Sequence, residues 1–416
     1  MSLHLYQQKQ NIKSVFYAAM ALLVVSAMLI WPRETYEGAV FGLEIWSNVL
    51  VPSLLPFFII VDLILNLGIV NMLGVLLEPI MRPLFNLPGA ASFAIAMGFT
   101  SGFPMGAVVT RRIYEEHLCQ AAEAERLVAF TNNSSPLFII VAIAVGFFSN
   151  QDLGLVLLGA HYLSNILLGI MLGFFAPRSK KYKIIKDKNL LAASFRKLLE
   201  AQKNRKPLGK MFADAIYNGI KTIILIGGFV IIYAVLIKLL NTSGLLDNIS
   251  RLFASLLKLG NFNPNIAQAF SIGFLEITLG LKTLSQYQLS FVEQAVAASI
   301  ILGWSGLCIQ SQVISVLAGS ELRSRNYIWC RGAQSLLSGF LAYILAHTNG
   351  LWGQYFILPV AISTSPSLKL LPDFSFTIRY TFLTVRLVLV IIVILITMSL
   401  LIKFYRFIST KHKRFS

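Results

Sequence analysis

The sequence predicts an all-α polytopic membrane protein, with about eight transmembrane helices plus two re-entrant hairpins in two inverted-topology repeats. Three observations lead there. Of the 416 residues, 56% are hydrophobic and only 13% charged, against about 25% charged in a soluble domain, and several runs reach the ~20 apolar residues that cross a bilayer. Positive charge gathers in the loops between those runs, as the positive-inside bias requires. Two stretches within apolar surroundings carry small, hydroxyl and amide residues. At membrane depth such broken backbone is tolerated only where it is buried in protein or lines a cavity.

The formal net charge of +17 gathers in loops and tails and comes with no nucleic-acid-binding motif, so it is read as membrane orientation and not as nucleic-acid binding. Cys119, Cys308 and Cys330 are too scattered for a disulfide framework or a metal knuckle. Residues 14–31 have the length of a signal peptide, but no small-residue cleavage site follows Trp31-Pro32-Arg33, and they read as a retained first helix.

In chain order, residues 1–34 form the N-terminal helix, crossing outward over 14–31. The first repeat, 35–176, opens with an amphipathic piece (35–48) and a span at about 49–70 containing Pro52, Pro56 and Asp62. Residues 71–87 carry Glu78, Arg82 and two prolines and suit a helix in the membrane interface. Residues 89–110 are interrupted by Gly98, Ser101, Gly102, Pro104 and Gly106 and fit a re-entrant hairpin. Spans at about 127–148 and 153–175 follow. The loop 177–214 holds twelve Lys and Arg against Asp187, Glu200 and Asp214; it is expected to be cytoplasmic.

The second repeat, 215–350, follows the same plan: a span at 218–240, an amphipathic piece at 243–259, a hairpin at 264–288, and spans at 291–318 and 328–349. A non-cytoplasmic connection and a last span at 379–403 lie within 351–416, whose basic tail belongs in the cytoplasm with the N-terminus. The units begin on opposite sides of the membrane. Asn86-Leu-Pro88 and Asn263-Pro264 each precede a small-residue run reaching Gly98-Phe99 and Gly273-Phe274. Inverted repeats with broken helices at the midplane are a transporter signature, with substrate held between the repeats.

The candidate binding residues lie in these interruptions. Gly98, Gly102 and Gly106 share a four-residue spacing that would place them on one helical face, where packing explains them as well as function. Ser101 and Pro104 favour function, because proline frees a carbonyl in the previous turn. Asn132, Asn133, Ser134 and Ser135 before Pro136 read as a helix start within the membrane, aiming free N–H groups at a cavity. That arrangement suits a carboxylate and is the physical basis for an anionic substrate. Glu276 and Thr278 are the counterparts in the second half, with pairing of Glu276 to Lys282 as the structural alternative. Ser305, Gln310 and Gln312 would face the site from the following broken span. Asp62 and Arg386, both inside expected spans, are either coupling groups for a proton or sodium ion or a structural pair. His161 reads as a helix-to-helix hydrogen bonder, and the Gly169/Gly173 pair as a packing signal. No P-loop lysine, paired metal histidines, Gly-x-Ser-x-Gly elbow or Asp-rich metal box is present, so neither an enzyme, a metal nor a cofactor is expected.

The runs Gly98–Gly106, Glu123–Phe138 and Ser305–Gln310 together resemble the YlbJ-type sporulation integral membrane proteins of the nucleoside-recognition Gate superfamily, over roughly 35–400. The resemblance implies a role in endospore formation: moving dipicolinic acid, a pyridine dicarboxylate, across the mother-cell-derived outer forespore membrane. The superfamily is similar in plan to concentrative nucleoside transporters, whose substrates bind between two hairpins and two broken helices. By that resemblance Thr100, Ser101, Asn132, Asn133, Glu276, Thr278 and Ser305 fall at substrate contacts. The transporters' Gly-Gln-Thr-Glu signature is missing from the first hairpin, which speaks against a nucleoside and against a carried-over sodium site. The expected partners are a small anionic molecule and the lipid bilayer, with a homodimer as a further option. The competing reading, from a different functional class, is a membrane scaffold for spore assembly that moves no solute.

Overall fold

Proline and glycine decide where the long apolar runs turn. The computed structural model describes residues 2–177, 190–202, 206–259 and 263–347; among these every regular element is helical. Helix α1 (Ser2–Ile30) stops at Trp31, and Pro32 opens α2 (Pro32–Ile45), since a proline lacks only an N–H that a first turn leaves unused. The axes of the two helices differ by 103°. A π-helical turn (Trp46–Leu50) leads into α3 (Val51–Asn66). Gly68, at φ +73°, then turns the chain by 80° into α4 (Ile69–Phe85).

Helices α5 (Ala91–Ser101) and α6 (Met105–Glu115) form the first hairpin, joined at Gly102-Phe103-Pro104. Helix α7 (Ala121–Thr131) ends in four non-helical residues, after which the chain becomes π-helical over Phe138–Phe147 and returns in α8 (Gln151–Phe175). Helix α9 (Leu190–Gln202) lies within the expected basic loop and packs on α4. Helix α10 (Leu208–Thr242) leads to amphipathic α11 (Leu245–Leu259). Helices α12 (Ala267–Leu275) and α13 (Ile277–Leu284) make the second hairpin, hinged at Glu276. Helices α14 (Phe291–Trp304) and α15 (Gly306–Leu317) meet at Ser305, and α16 (Arg325–His347) closes the described chain.

By length and composition, three of these elements can cross a membrane: Gln151–Phe175, Leu208–Thr242 and Phe291–Leu317. The number is five if each bent pair is one span. This is fewer than the eight expected. The span expected at 127–148 is cut into short pieces by its break, the span at 328–349 carries Arg331, and the one at 379–403 lies outside the described residues. The loop expected over 177–214 also holds a helix. Leu191, Phe195 and Leu199 of α9 are exposed, while Ala193 and Ser194 are buried.

The two larger apolar cores share most of the interior, and both broken helices pass from one to the other. Leu127 and Phe130 of α7 belong to a core with Phe58, Phe85 and Met105; Ile139 and Ile143, beyond the break, belong to a core with Leu157, Ile277 and Leu281. Helix α14 places Ile301 and Leu302 in the second core, and α15 places Val313 and Leu317 in the first. Small residues bring the backbones together, as membrane helix pairs require. A Cβ at Gly303 would lie 2.6 Å from the Ser335 Cα, and one at Gly169 would lie 2.8 Å from the Phe130 ring. The second contact bears out the packing reading of the Gly169/Gly173 pair.

Candidate functional site

Both helices that carry a break begin with the same device. The Gln120 side chain and Glu123 form a capping box at the start of α7, and Ser290 and Glu293 form one at the start of α14. Each box satisfies two otherwise orphaned N–H groups. Glu123 also receives Arg82 Nη1 at 2.8 Å, while Arg82 Nε holds Glu78 at 2.6 Å and Glu78 accepts the Gly89 N–H. One guanidinium thus ties α4, the start of the first hairpin and α7 together.

Helix α7 ends where the first hairpin clamps it. Gly98 and Gly106 approach the Thr131 carbonyl so closely that neither position can accept a Cβ. The four-residue spacing therefore does not describe one helical face. The turn at 102–104 puts Gly98 on α5 and Gly106 on α6, and the two face each other across the hairpin. For these two the packing reading holds. Gly102 differs: its φ is +87°, and a Cβ there would sit 3.1 Å from the Ser135 nitrogen.

Asn132 joins hairpin and break. Its Oδ1 accepts from the Ala107 N–H at 2.9 Å, and its Nδ2 donates to the Val128 carbonyl at 2.8 Å. Asn133 donates to the Phe130 carbonyl at 3.3 Å, while its Oδ1 is buried without a partner among the described residues. The Ser134 N–H donates to His161 Nε2 at 3.2 Å, and the Ser134 hydroxyl is buried without a partner among the described residues. Ser135 Oγ accepts from the Phe138 N–H at 3.2 Å and so caps the next helix. The Ser101 hydroxyl, at the hairpin tip, is also buried without a partner among the described residues. Thr100 does not join this group: it is exposed, and its hydroxyl turns back to the Ala96 carbonyl.

Residues that sequence reasoning passed over complete the first break, Arg331 foremost. Arg331 of α16 is fully buried. Its Nη1 donates to the Asn132 carbonyl at 2.9 Å, and its Nη2 to the Ala129 carbonyl at 2.7 Å and to Asn165 Oδ1 at 3.1 Å. These carbonyls are free because α7 ends there, and they carry the negative end of its dipole. No carboxylate among the described residues pairs with Arg331, and its Nε has no partner. Its guanidinium lies 5.4 Å from the centre of the Tyr327 ring. One turn further along α16, Ser335 Oγ donates to the Ile300 carbonyl of α14 at 2.7 Å. Helix α16 therefore touches both broken helices. His161 acts between segments as its sequence suggests: its Nε2 accepts the Ser134 N–H and so joins α8 to the break. Tyr162 donates toward both the Phe99 and Ser134 carbonyls. The signal for Arg331 was present, since an ionisable residue inside an apolar run marks a functional position by default.

The second break is built differently. Glu276 caps α13, accepting from the Thr278 N–H at 3.0 Å and the Leu279 N–H at 2.7 Å. Its described partners are thus backbone groups, not Lys282. Ser305 takes a left-handed conformation at φ 66° and is fully buried. Gln310 Nε2 donates to the Trp304 carbonyl at 3.0 Å, and Gln312 reaches Cys308 Sγ at 3.5 Å. Trp304 stacks on Phe274 with ring centres 5.1 Å apart and donates to its carbonyl at 3.0 Å. Gly306, at φ +75°, fits against the Leu275 carbonyl and Glu276. Phe103 and Phe138 from the first hairpin and break pack on the core that holds Ile277, so the two centres adjoin.

Asp62 lies apart from both breaks. Its carboxylate receives Arg112 Nη2 at 2.8 Å, Asn66 Nδ2 at 3.1 Å and Asn218 Nδ2 at 3.3 Å. Arg386 lies outside the described residues. No group of three His, Cys, Asp or Glu among the described residues could hold a metal ion.

Long apolar helices, two helical hairpins and broken helices with buried polar linings define an integral membrane protein with several spans. The chain belongs to the Gate family, described as nucleoside recognition, which matches residues 48–178 and 223–320. It is 36% identical over 340 residues to the sporulation integral membrane protein YlbJ of Bacillus subtilis strain 168, covering 80% of this chain and 83% of that one. It is also 27% identical over 166 residues to an uncharacterised protein of Alkalihalophilus pseudofirmus, covering 39% of this chain and 33% of that one. No solved structure matches.

Proposed function

We propose that this protein moves a small organic anion across a membrane, with the substrate held where the two broken helices and two hairpins adjoin. The observation that carries the reading is Arg331, a fully buried guanidinium that no described carboxylate neutralises. Burying a charge is costly unless it is paired or given full hydrogen bonds, and an anionic ligand would supply the missing partner. Ser101 Oγ and Ser134 Oγ, both without a partner among the described residues, have a proton to donate to such a ligand. The recurring order of long helix, amphipathic helix, hairpin, broken helix and long helix in the two halves supports the inverted-repeat reading.

The name of the Bacillus subtilis relative supports a role in sporulation. Together with the need for an anion, this favours dipicolinic acid as substrate and the outer forespore membrane, with both termini cytoplasmic, as the location. The test is uptake of dipicolinate by proteoliposomes carrying wild type or Arg331→Gln at matched protein levels, with uridine as the competing probe. Dipicolinate uptake that uridine does not inhibit, and that collapses in the variant, is the expected result. No uptake under a proton or sodium gradient by folded protein would favour the scaffold, and inhibition by uridine would favour a nucleoside.

A further inference from the structure

A second polar region, on the α3 and α10 side of the first hairpin, is open to a ligand. Helices α3, α6 and α10 enclose a half-open cavity of about 160 Å³. Phe58, Val61, Leu65, Met105 and Val108 form its apolar wall, and Asp62, Arg112, Asn218, Lys221 and Thr222 its polar side. Asp62 is 7% exposed and already accepts three hydrogen bonds, so it positions Arg112 and leaves little capacity for a cation. Arg112 spends a single N–H on that carboxylate, and Glu115 approaches its Nη1 only to 3.9 Å. Lys221 has no acidic partner among the described residues. With one negative and two positive side chains, the cavity is net positive and has donors to spare.

Its position gives the charge a use. Met105 is the first residue of α6, directly after the hairpin turn, and Arg112 lies seven residues further on, about 10 Å at 1.5 Å per residue. The cavity therefore runs from an exposed basic rim to the base of the turn that clamps the first break. We infer that it is a second anion-binding site, an antechamber in which Arg112 and Lys221 hold a carboxylate or phosphate group ahead of the broken helix. Its place on a route to that helix rests on the transport reading above; its affinity for anions does not. An acidic lipid headgroup offers the same chemistry from a different source, because basic pockets between membrane helices also take headgroups.

The test uses the purified full chain in neutral detergent. Thermal unfolding is titrated with inorganic phosphate, with dipicolinate, and with a short-chain phosphatidylglycerol, for wild type, Lys221→Gln and Lys221→Arg. Lys221 is exposed, so both variants should fold. Both soluble anions should raise the wild-type midpoint. In Lys221→Gln the half-saturating concentration should rise about five-fold, the scale of one partly exposed ion pair, and Lys221→Arg should restore it. Identical titrations in wild type and Lys221→Gln, or no protection of wild type, would overturn the site. Protection by phosphatidylglycerol alone would overturn it in favour of a lipid headgroup. Anion protection lost in Lys221→Gln, in a protein whose wild type takes up no dipicolinate, would keep this site and remove the transport reading.

Discussion

The two breaks differ in how much of their own polarity they satisfy. At the second, the interruption is short: Ser305 turns left-handed, Glu276 is answered by two N–H groups of α13, and the Phe274–Trp304 stack closes one side. At the first, four residues leave the helix, a buried guanidinium braces the exposed carbonyls, and Asn133 Oδ1, Ser134 Oγ and Ser101 Oγ find nothing among the described residues. A helix end can be completed by its own chain or left for something else to complete. The second break is of the former kind and the first of the latter, so binding should depend more strongly on the first.

The largest effect should follow from Arg331→Gln. It removes the only described donors to the Ala129 and Asn132 carbonyls, about 1–3 kcal/mol for each group left unsatisfied, and it should abolish uptake; unfolding in detergent and proteoliposome flux measure the two losses. Unchanged flux would erase the contrast between the breaks. Asn132→Ala should come next. Losing both its bonds should release α6 from the break at a cost of about 2 kcal/mol, seen as faster hydrogen exchange at the Ala107 amide.

How legible these centres were in the sequence follows the same division. Breaks announced by Asn, Ser, Gly and Pro could be located to within a residue or two, because those residues act on their own backbone. Asn132–Ser135 and Glu276 fall where the structure puts the interruptions. What depended on a distant partner could not be read. The role of Gly98 and Gly106 depends on the Thr131 carbonyl, Asp62 pairs with Arg112, fifty residues away, and Arg331 stands about 200 residues from the carbonyls it braces. Helix α9 was hidden for another reason: its apolar stripe of Leu191, Phe195 and Leu199 sits inside the most basic part of the chain.

Smaller effects would sharpen the comparison. Gly306→Ala forces a Cβ to φ +75° and to 3.1 Å from the Leu275 carbonyl, costing about 1–2 kcal/mol; a lowered unfolding midpoint checks it. Glu276→Gln keeps one acceptor at the start of α13 and loses the charge, so about 1 kcal/mol of capping and dipole energy should go, with uptake reduced less than by Arg331→Gln. Ser101→Ala removes a hydroxyl that bonds to nothing described. Stability should stay within about 0.5 kcal/mol while apparent substrate affinity falls, a split that separates a ligand contact from a structural one.

Tyr162 has one hydroxyl proton, and two carbonyls claim it: Phe99 on the hairpin at 2.5 Å and Ser134 in the break at 3.1 Å. A single proton cannot serve both fully, so if the hairpin withdraws, the donor passes to the carbonyl left behind and neither separation costs a whole hydrogen bond. Hairpin and broken helix are thus held by a debt shared between them, and the tip can part from the break without leaving the phenol idle. Phenylalanine in its place would keep the ring and remove the exchange.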